Sequence, residues 1–346
     1  MNINPRTRFV LFCLILLLFT QCERNNDKKE TGDEPLKEVT KQEIINQSVK
    51  CLIVDDIGNK WLGTDSALYM YDNSSWYKFV ASNISHVNSL AMRDGLILVA
   101  TDSGAYSLSP VKASTSVVDT LSFNQPGGTF QQENVFNTGM GQRNWFGTPN
   151  GLSMYDGNKW MQNKAISNNL VTISKVHSMA FRKNDAFFGT YGSYLYHVKY
   201  NPQTDAITGA SQMLGGADNP HSNYNGELTT DTIFCVFAAA DSSIWFGSVK
   251  GLTRNKGATK VDNGLFEYSL RGERVHCVYE FSNKTIWAGT ENGIFVLQNG
   301  TWTNYNISTG LAGKTVLCMA EDKDGTVWIG TTKGLLYYKS GAIKVP

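Results

Sequence analysis

Charge is scarce in this chain of 346 residues, and it is balanced. Asp, Glu, Lys and Arg make up 18% of it, and 31 basic against 30 acidic residues leave a formal charge of +1. No basic surplus exists to neutralise phosphates, so nucleic acid is not an expected partner. Cysteine numbers 6, too few in a chain of this length for a disulfide scaffold. Neither CxxC nor HxxxH spacing occurs, so no metal site is expected. G-x-S-x-G and the phosphate-cradling glycine loops are absent as well, and no cofactor is expected. Glycine (32 residues) and aromatics (12%) are plentiful, a composition that buries a core.

The N-terminus reads as an address. Arg6 and Arg8 precede an apolar run from Phe9 to Phe19, then Thr20-Gln21-Cys22, and residues 23–30 are wholly polar. The run is too short for a spanning helix, which needs roughly 20 residues, and has the shape of a secretory signal. It resembles a bacterial lipoprotein signal, which implies removal of residues 1–21 and lipidation of Cys22. The expected location is therefore the cell envelope, lipid-anchored at a periplasmic or outer-membrane surface, with the membrane itself as a partner. Residues 22–48 read as a polar stalk. Within it Thr40-Lys41-Gln42-Glu43 has capping-box spacing and predicts one helical turn.

From residue 49 to 346 one unit recurs. The signal W-x-G-T appears as Trp61-Leu62-Gly63-Thr64, Trp145-Phe146-Gly147-Thr148, Trp245-Phe246-Gly247-Ser248, Trp287-Ala288-Gly289-Thr290 and Trp328-Ile329-Gly330-Thr331. Leu98-Val99-Ala100-Thr101 and Phe187-Phe188-Gly189-Thr190 are its degenerate copies. A period in the forties built from short β-rich runs predicts an all-β, seven-bladed β-propeller of four-stranded antiparallel blades. Each blade then has an apolar innermost strand, an Asp/Gly/Asn hairpin, the Trp strand, a third strand opened by glycine, and an outer strand marked by Trp76, Trp160 or Trp302. The tryptophans are expected to pack between blades. Closure is expected to rest on blade-to-blade packing, assisted by residues 40–48. Residues 109–130 and 199–230 read as long connections between blades. The acidic hairpins at Asp55-Asp56 and at Asp322 and Asp324 read as turn chemistry, since their spacing fails the EF-hand pattern.

Cys51, Cys235, Cys277 and Cys318 each stand ten residues before their blade's Trp, on the inner strand. Val135, Ser89 and Ser178 fill the same place elsewhere. Four buried free thiols are predicted, because stacked sheets lie too far apart for disulfide geometry.

Ligands of propellers usually enter the axial channel where inner strands begin. The second inner-strand position reads Lys50, Asn88, Asn134, His177, Phe234, His276 and Leu317. Of these Lys50, Asn88, Asn134, His177 and His276 are the candidate ligand-binding residues at the channel mouth, with His86 beside them.

The repeat D-x-D-G-x-h-W-h-G-T-x-x-G-L-x-x-Y, seen at its fullest from Asp322 to Tyr338, resembles the two-component regulator propeller repeat. In the sensors that gave the family its name, such propellers precede a spanning helix and a histidine kinase. The resemblance implies a non-enzymatic ligand- or protein-binding module that senses or presents a glycan, a peptide or an envelope protein, with signalling output through a partner. The repeats are also similar in look to those of streptogramin lyases. The alternative is accordingly a lyase- or hydrolase-like enzyme with His177 or His276 as general base at the channel mouth.

Overall fold

Inner strands of alternating apolar residues, hairpins of Asp, Asn and Gly, and Trp-bearing second strands fold as the repeat dictates. The computed structural model describes residues 36–80, 84–102, 104–109, 117–121, 135–137, 144–148, 151–155, 160–162, 176–190, 195–201, 206–214, 232–256, 266–305, 310–311 and 313–346. They form antiparallel sheets, six of four strands and one of five. Blade 1 carries strands Val49–Val54, Lys60–Thr64, Leu68–Tyr71 and Trp76–Phe79 from axis to rim. The following sheets span 87–121, 135–162, 176–214, 233–269, 275–305 and 316–344, and we number these blades 2 to 7. Each inner strand packs beside that of the next blade, and the inner strand of blade 7 packs beside that of blade 1. The ring is closed. Among the described residues no helix is long and apolar enough to cross a membrane.

The core lies between blades. Trp61 of blade 1 packs with Val87, Leu90 and Ile97 of blade 2. Trp328 of blade 7 packs with Val49, Leu52 and Leu62 of blade 1. Trp61 and Trp145 are fully buried, and Trp76, Trp245, Trp287 and Trp328 nearly so, which is the packing role expected of them.

Three expectations need correction. Six blades are four-stranded, but the first sheet has five strands, because Leu36–Val39 pairs antiparallel with Trp76–Phe79. Residues 36–48 are thus part of the fold and not stalk. Leu36 buries an apolar side chain there, and Ile44 does so in the short helix Gln42–Ile45. That helix has no capping box: Lys41 is the N-cap without a side-chain bond, and the Glu43 amide donates to the Thr40 carbonyl at 3.1 Å. Lastly, the long connections contain the outer strands Val117–Leu121 and Ala206–Leu214, edge strands that lack the Trp marker used to recognise the fourth position.

Closure needs no strand exchange between the termini. Residues 40–48 cross to the seam between blades 7 and 1, where the Gly334 amide donates to the Gln47 carbonyl at 2.8 Å. Lys60, buried, stands where blades 2, 5 and 6 have Ile97, Ile244 and Ile286. Its ammonium bridges Asp322 of blade 7 at 2.5 Å and donates to the Gly58 carbonyl at 2.7 Å. It also lies 4.8 Å from the centroid of the Trp328 ring. The acidic hairpins act as turn chemistry: Asp55 accepts the Asn59 amide at 2.8 Å and the Trp61 indole N–H at 2.9 Å.

Other seams share a simpler contact. A Cβ built on Gly289 would meet Cys277 Sγ at 2.5 Å and Val316 Cγ1 of blade 7 at 2.6 Å. Gly289→Ala is therefore expected to lower stability by about 1–3 kcal/mol in urea unfolding, the cost of overpacking a tight site. Lys60→Ile should cost about 3 kcal/mol by stranding Asp322, and adding Asp322→Asn should recover most of it in the same measurement.

Candidate functional site

Every inner strand whose start is fully described holds one residue too many for its partner. In blade 1 the register steps from Val49 opposite Thr64 to Cys51 opposite Gly63, leaving Lys50 as a bulge. The same step skips Asn88, His177, Phe234, His276 and Leu317. A bulge turns its extra residue away from the ladder. Here all six side chains line one axial cavity of about 420 Å³, within the usual range for small-molecule sites.

Four candidates from the sequence, Lys50, Asn88, His177 and His276, are thus brought together, joined by Phe234 and Leu317. Asn134 lies outside the described residues, as do Cys13 and Cys22. His86 does not line the cavity; it is exposed, and its amide donates to the Asp65 carbonyl at 2.9 Å. His197 is away from it too, inside blade 4, 2.7 Å from Asp185 and stacked on Phe187.

The sequence reading missed the rim partners of the bulge residues. Lys50 pairs with Asp65, Asn88 Nδ2 donates to Asp102 Oδ1 at 2.7 Å, and His276 Nε2 stands 3.6 Å from Glu291 Oε1. Each acid directly follows the Thr of the repeat motif. That Thr builds the turn: Thr290 Oγ1 donates to the Gly293 carbonyl at 3.0 Å and accepts the Asn292 amide at 3.0 Å. Its successor is thereby fixed at the rim beside the bulge. The signal was present in the sequence, one position past the motif.

The cavity has two unlike walls. On one, Phe234 stacks on His276 with centroids 4.8 Å apart and meets His177 edge-on at 6.1 Å. Arg274 lies over Phe234 and reaches Glu291 at 3.3 Å. On the other stand Lys50 and Asn88. Among the described residues, Lys50 is the one Lys, Arg, Asp or Glu lining the cavity. Burial holds the His276 pKa below its ordinary 6.5; Glu291 opposes the shift and Arg274 adds to it. Burial thereby favours the neutral ring.

The four thiols are free, as expected. Their residues are half-buried, and Cys51, Cys235 and Cys318 also border the cavity, but the sulfurs turn into the seams. Cys318 Sγ donates to the Val49 carbonyl at 3.4 Å, and Cys51 Sγ faces that of Val87 at 3.9 Å. Burial pushes Cys51 and Cys235 up to about 12 and raises Cys277 and Cys318 likewise. Among the described residues no group of three or more His, Cys, Asp or Glu is placed to hold a metal ion.

Two pH effects follow. Unfolded thiols ionise near 9 and the folded ones far higher, so their stabilisation is whole below pH 9 and is lost as pH rises toward 12. Denaturant midpoints across that range should fall in the native chain and less in a variant with the four cysteines replaced by serine. An NMR titration of His276 should give a midpoint below 6.5, and Glu291→Gln should lower it further.

The fold recurs in solved structures. The extracellular domain of the hybrid two-component system protein BT4673 from B. thetaiotaomicron is 17% identical, with a TM-score of 0.66, and the match covers 89% of this chain and 40% of that one. That of BT3049 from the same organism is 19% identical, with a TM-score of 0.66 and coverage of 89% and 41%. This chain thus spans about two fifths of the length of those relatives. Virginiamycin B lyase from Staphylococcus aureus is 13% identical, with a TM-score of 0.62 and coverage of 90% and 99%. No curated protein matches the sequence. Residues 310–333 match the family described as two component regulator propeller, so this β-propeller carries that family's repeat across the start of blade 7.

Proposed function

We propose that this chain is an envelope-anchored, non-enzymatic binding module. It is a ring of seven sectors, held to the membrane through a lipidated Cys22, and it receives a glycan or peptide in its axial cavity. One observation supports this above all. The bulge residues of six inner strands, which the sheets do not need, converge on a single cavity with an aromatic wall and a polar wall. The repeat family and the sensor domains that share the fold agree with a binding role.

A second reading, a lyase-like enzyme, draws on the approach of Glu291 to His276. A carboxylate in that position orients an imidazole as a base. Two features weigh against it. Glu291 is shared with Arg274, and it does not line the cavity.

The test uses the full chain in membranes against glycan and peptide arrays. Leu317→Trp, which fills the cavity from blade 7, and Lys50→Met should each weaken the captured ligand by ~10-fold or more. A ligand held equally well by both variants would refute the axial site. Ligand turnover by the native chain and none by His276→Asn would favour the enzyme; the binding module predicts no turnover by either. Cys22→Ser should move the chain from the membrane fraction to the soluble one; unchanged fractionation would refute the lipid anchor.

A further inference from the structure

The tryptophans of the second strands share a position but not a hydrogen-bond partner. Trp61 Nε1 donates to Asp55 Oδ2 at 2.9 Å, and Trp287 Nε1 donates to Thr285 Oγ1 at 2.9 Å. Trp245, only 4% exposed, has a buried Nε1–H with no acceptor. Beside it the Arg254 guanidinium lies 5.1 Å over the indole ring. Its terminal nitrogens reach Asp241 at 2.5 Å and Glu267 at 3.2 Å, yet its Nε–H is also buried without an acceptor. Both residues line a cleft of about 550 Å³ between blades 5 and 6, at the end of the ring opposite the inner-strand starts. Two buried donors without acceptors in one cleft are costly to keep unless something accepts from them.

Blade 7 shows what closes such a cleft. Trp328 Nε1 lacks an acceptor as well, but Lys60 of blade 1 packs over its ring. The corresponding residue of blade 6 is Ile286, which lines the cleft and leaves it open.

The surrounding charges select the guest. The charges bordering the cleft are already matched: Arg254 meets Asp241 and Glu267, and Lys284 stands 3.7 Å from Glu280. An incoming carboxylate would have to break one of these pairs and meet the acid it displaced. A neutral carbonyl has neither difficulty. Ala239, Ile286 and Leu297 supply an apolar wall for the group attached to it. We infer that the cleft between blades 5 and 6 is a second binding site, for a neutral secondary amide. The amide oxygen accepts from Trp245 Nε1–H and Arg254 Nε–H, and its alkyl side packs on Ile286 and Leu297. Peptides and N-acylated sugars both carry this group.

The site can be tested on the full chain with ¹⁵N-labelled indoles, the Trp245 signal being assigned by its loss in Trp245→Phe. The probes are N-acetylalanine methylamide, N-acetylglucosamine and, as the charged control, acetate. Either amide should move the Trp245 indole signal saturably, and acetate should act at least ~10-fold more weakly. Saturation by only one amide identifies peptide or acylated sugar as the source. Ala240→Trp, on the exposed hairpin at the cleft mouth, should abolish the shift and leave the other indoles in place. The inference is overturned if the signal stays still with both amides at tens of millimolar. It is equally overturned if acetate moves the signal as strongly, or if Ala240→Trp leaves the shift intact.

Discussion

Neighbouring blades meet where a β-branched residue presses on a glycine. Val87 sits on Gly63, Val176 on Gly147, Ile233 on Gly189, Val275 on Gly247, Val316 on Gly289 and Val49 on Gly330. Each glycine follows two residues behind the first aromatic of its motif, and each β-branched residue opens the next blade's inner strand. No Cβ fits between them, so the contact sets how closely sheets approach. In four of the blades a cysteine fills the remaining gap on the glycine's own sheet, and Ser178 fills it in blade 4. Sulfur placed there for shape is also sulfur removed from water, which is why these thiols resist ionisation.

The same contact makes the cavity. A β-branched residue anchored in the seam and a small residue paired with glycine leave one residue between them unmatched in the ladder. That residue has a single direction left, toward the axis. The scaffold thereby separates structure from recognition: the described seam positions hold only Val, Ile, Cys, Ser, Gly and, in blade 2, Ala100, while the bulge runs through Lys, Asn, His, Phe and Leu. Variation is tolerated there because neither pairing nor packing depends on it. The last seam differs. Lys60, Asp322 and Trp328 meet there, and the helix Gln42–Ile45 crosses it, so closure relies on polar contacts and on a strap of chain before blade 1.

Much of this was legible because a repeat states its own register. The motif glycine and the cysteine ten residues before Trp mark partners across one hairpin, and the bulge position follows from them by counting. What was not legible lacked repetition. Leu36–Val39 occurs once, in a charged stretch whose two apolar ends alone hint at a strand. The outer strands of blades 2 and 4 carry no tryptophan, and edge strands need little apolar surface to pair. The rim acids Asp65, Asp102 and Glu291 do repeat, but they look like ordinary turn residues until the bulge opposite each is seen.

Recognition through the axis is the claim on which the functional account stands. Hydrogen exchange of the full chain, followed by mass spectrometry with and without the small-molecule extract of its own envelope, tests it most directly. The account predicts new protection confined to residues 49–51, 87–89, 176–178, 233–235, 275–277 and 316–318, where the bulges meet the cavity. Protection confined to the outer strands, or none with an extract whose components demonstrably bind the chain, would contradict it.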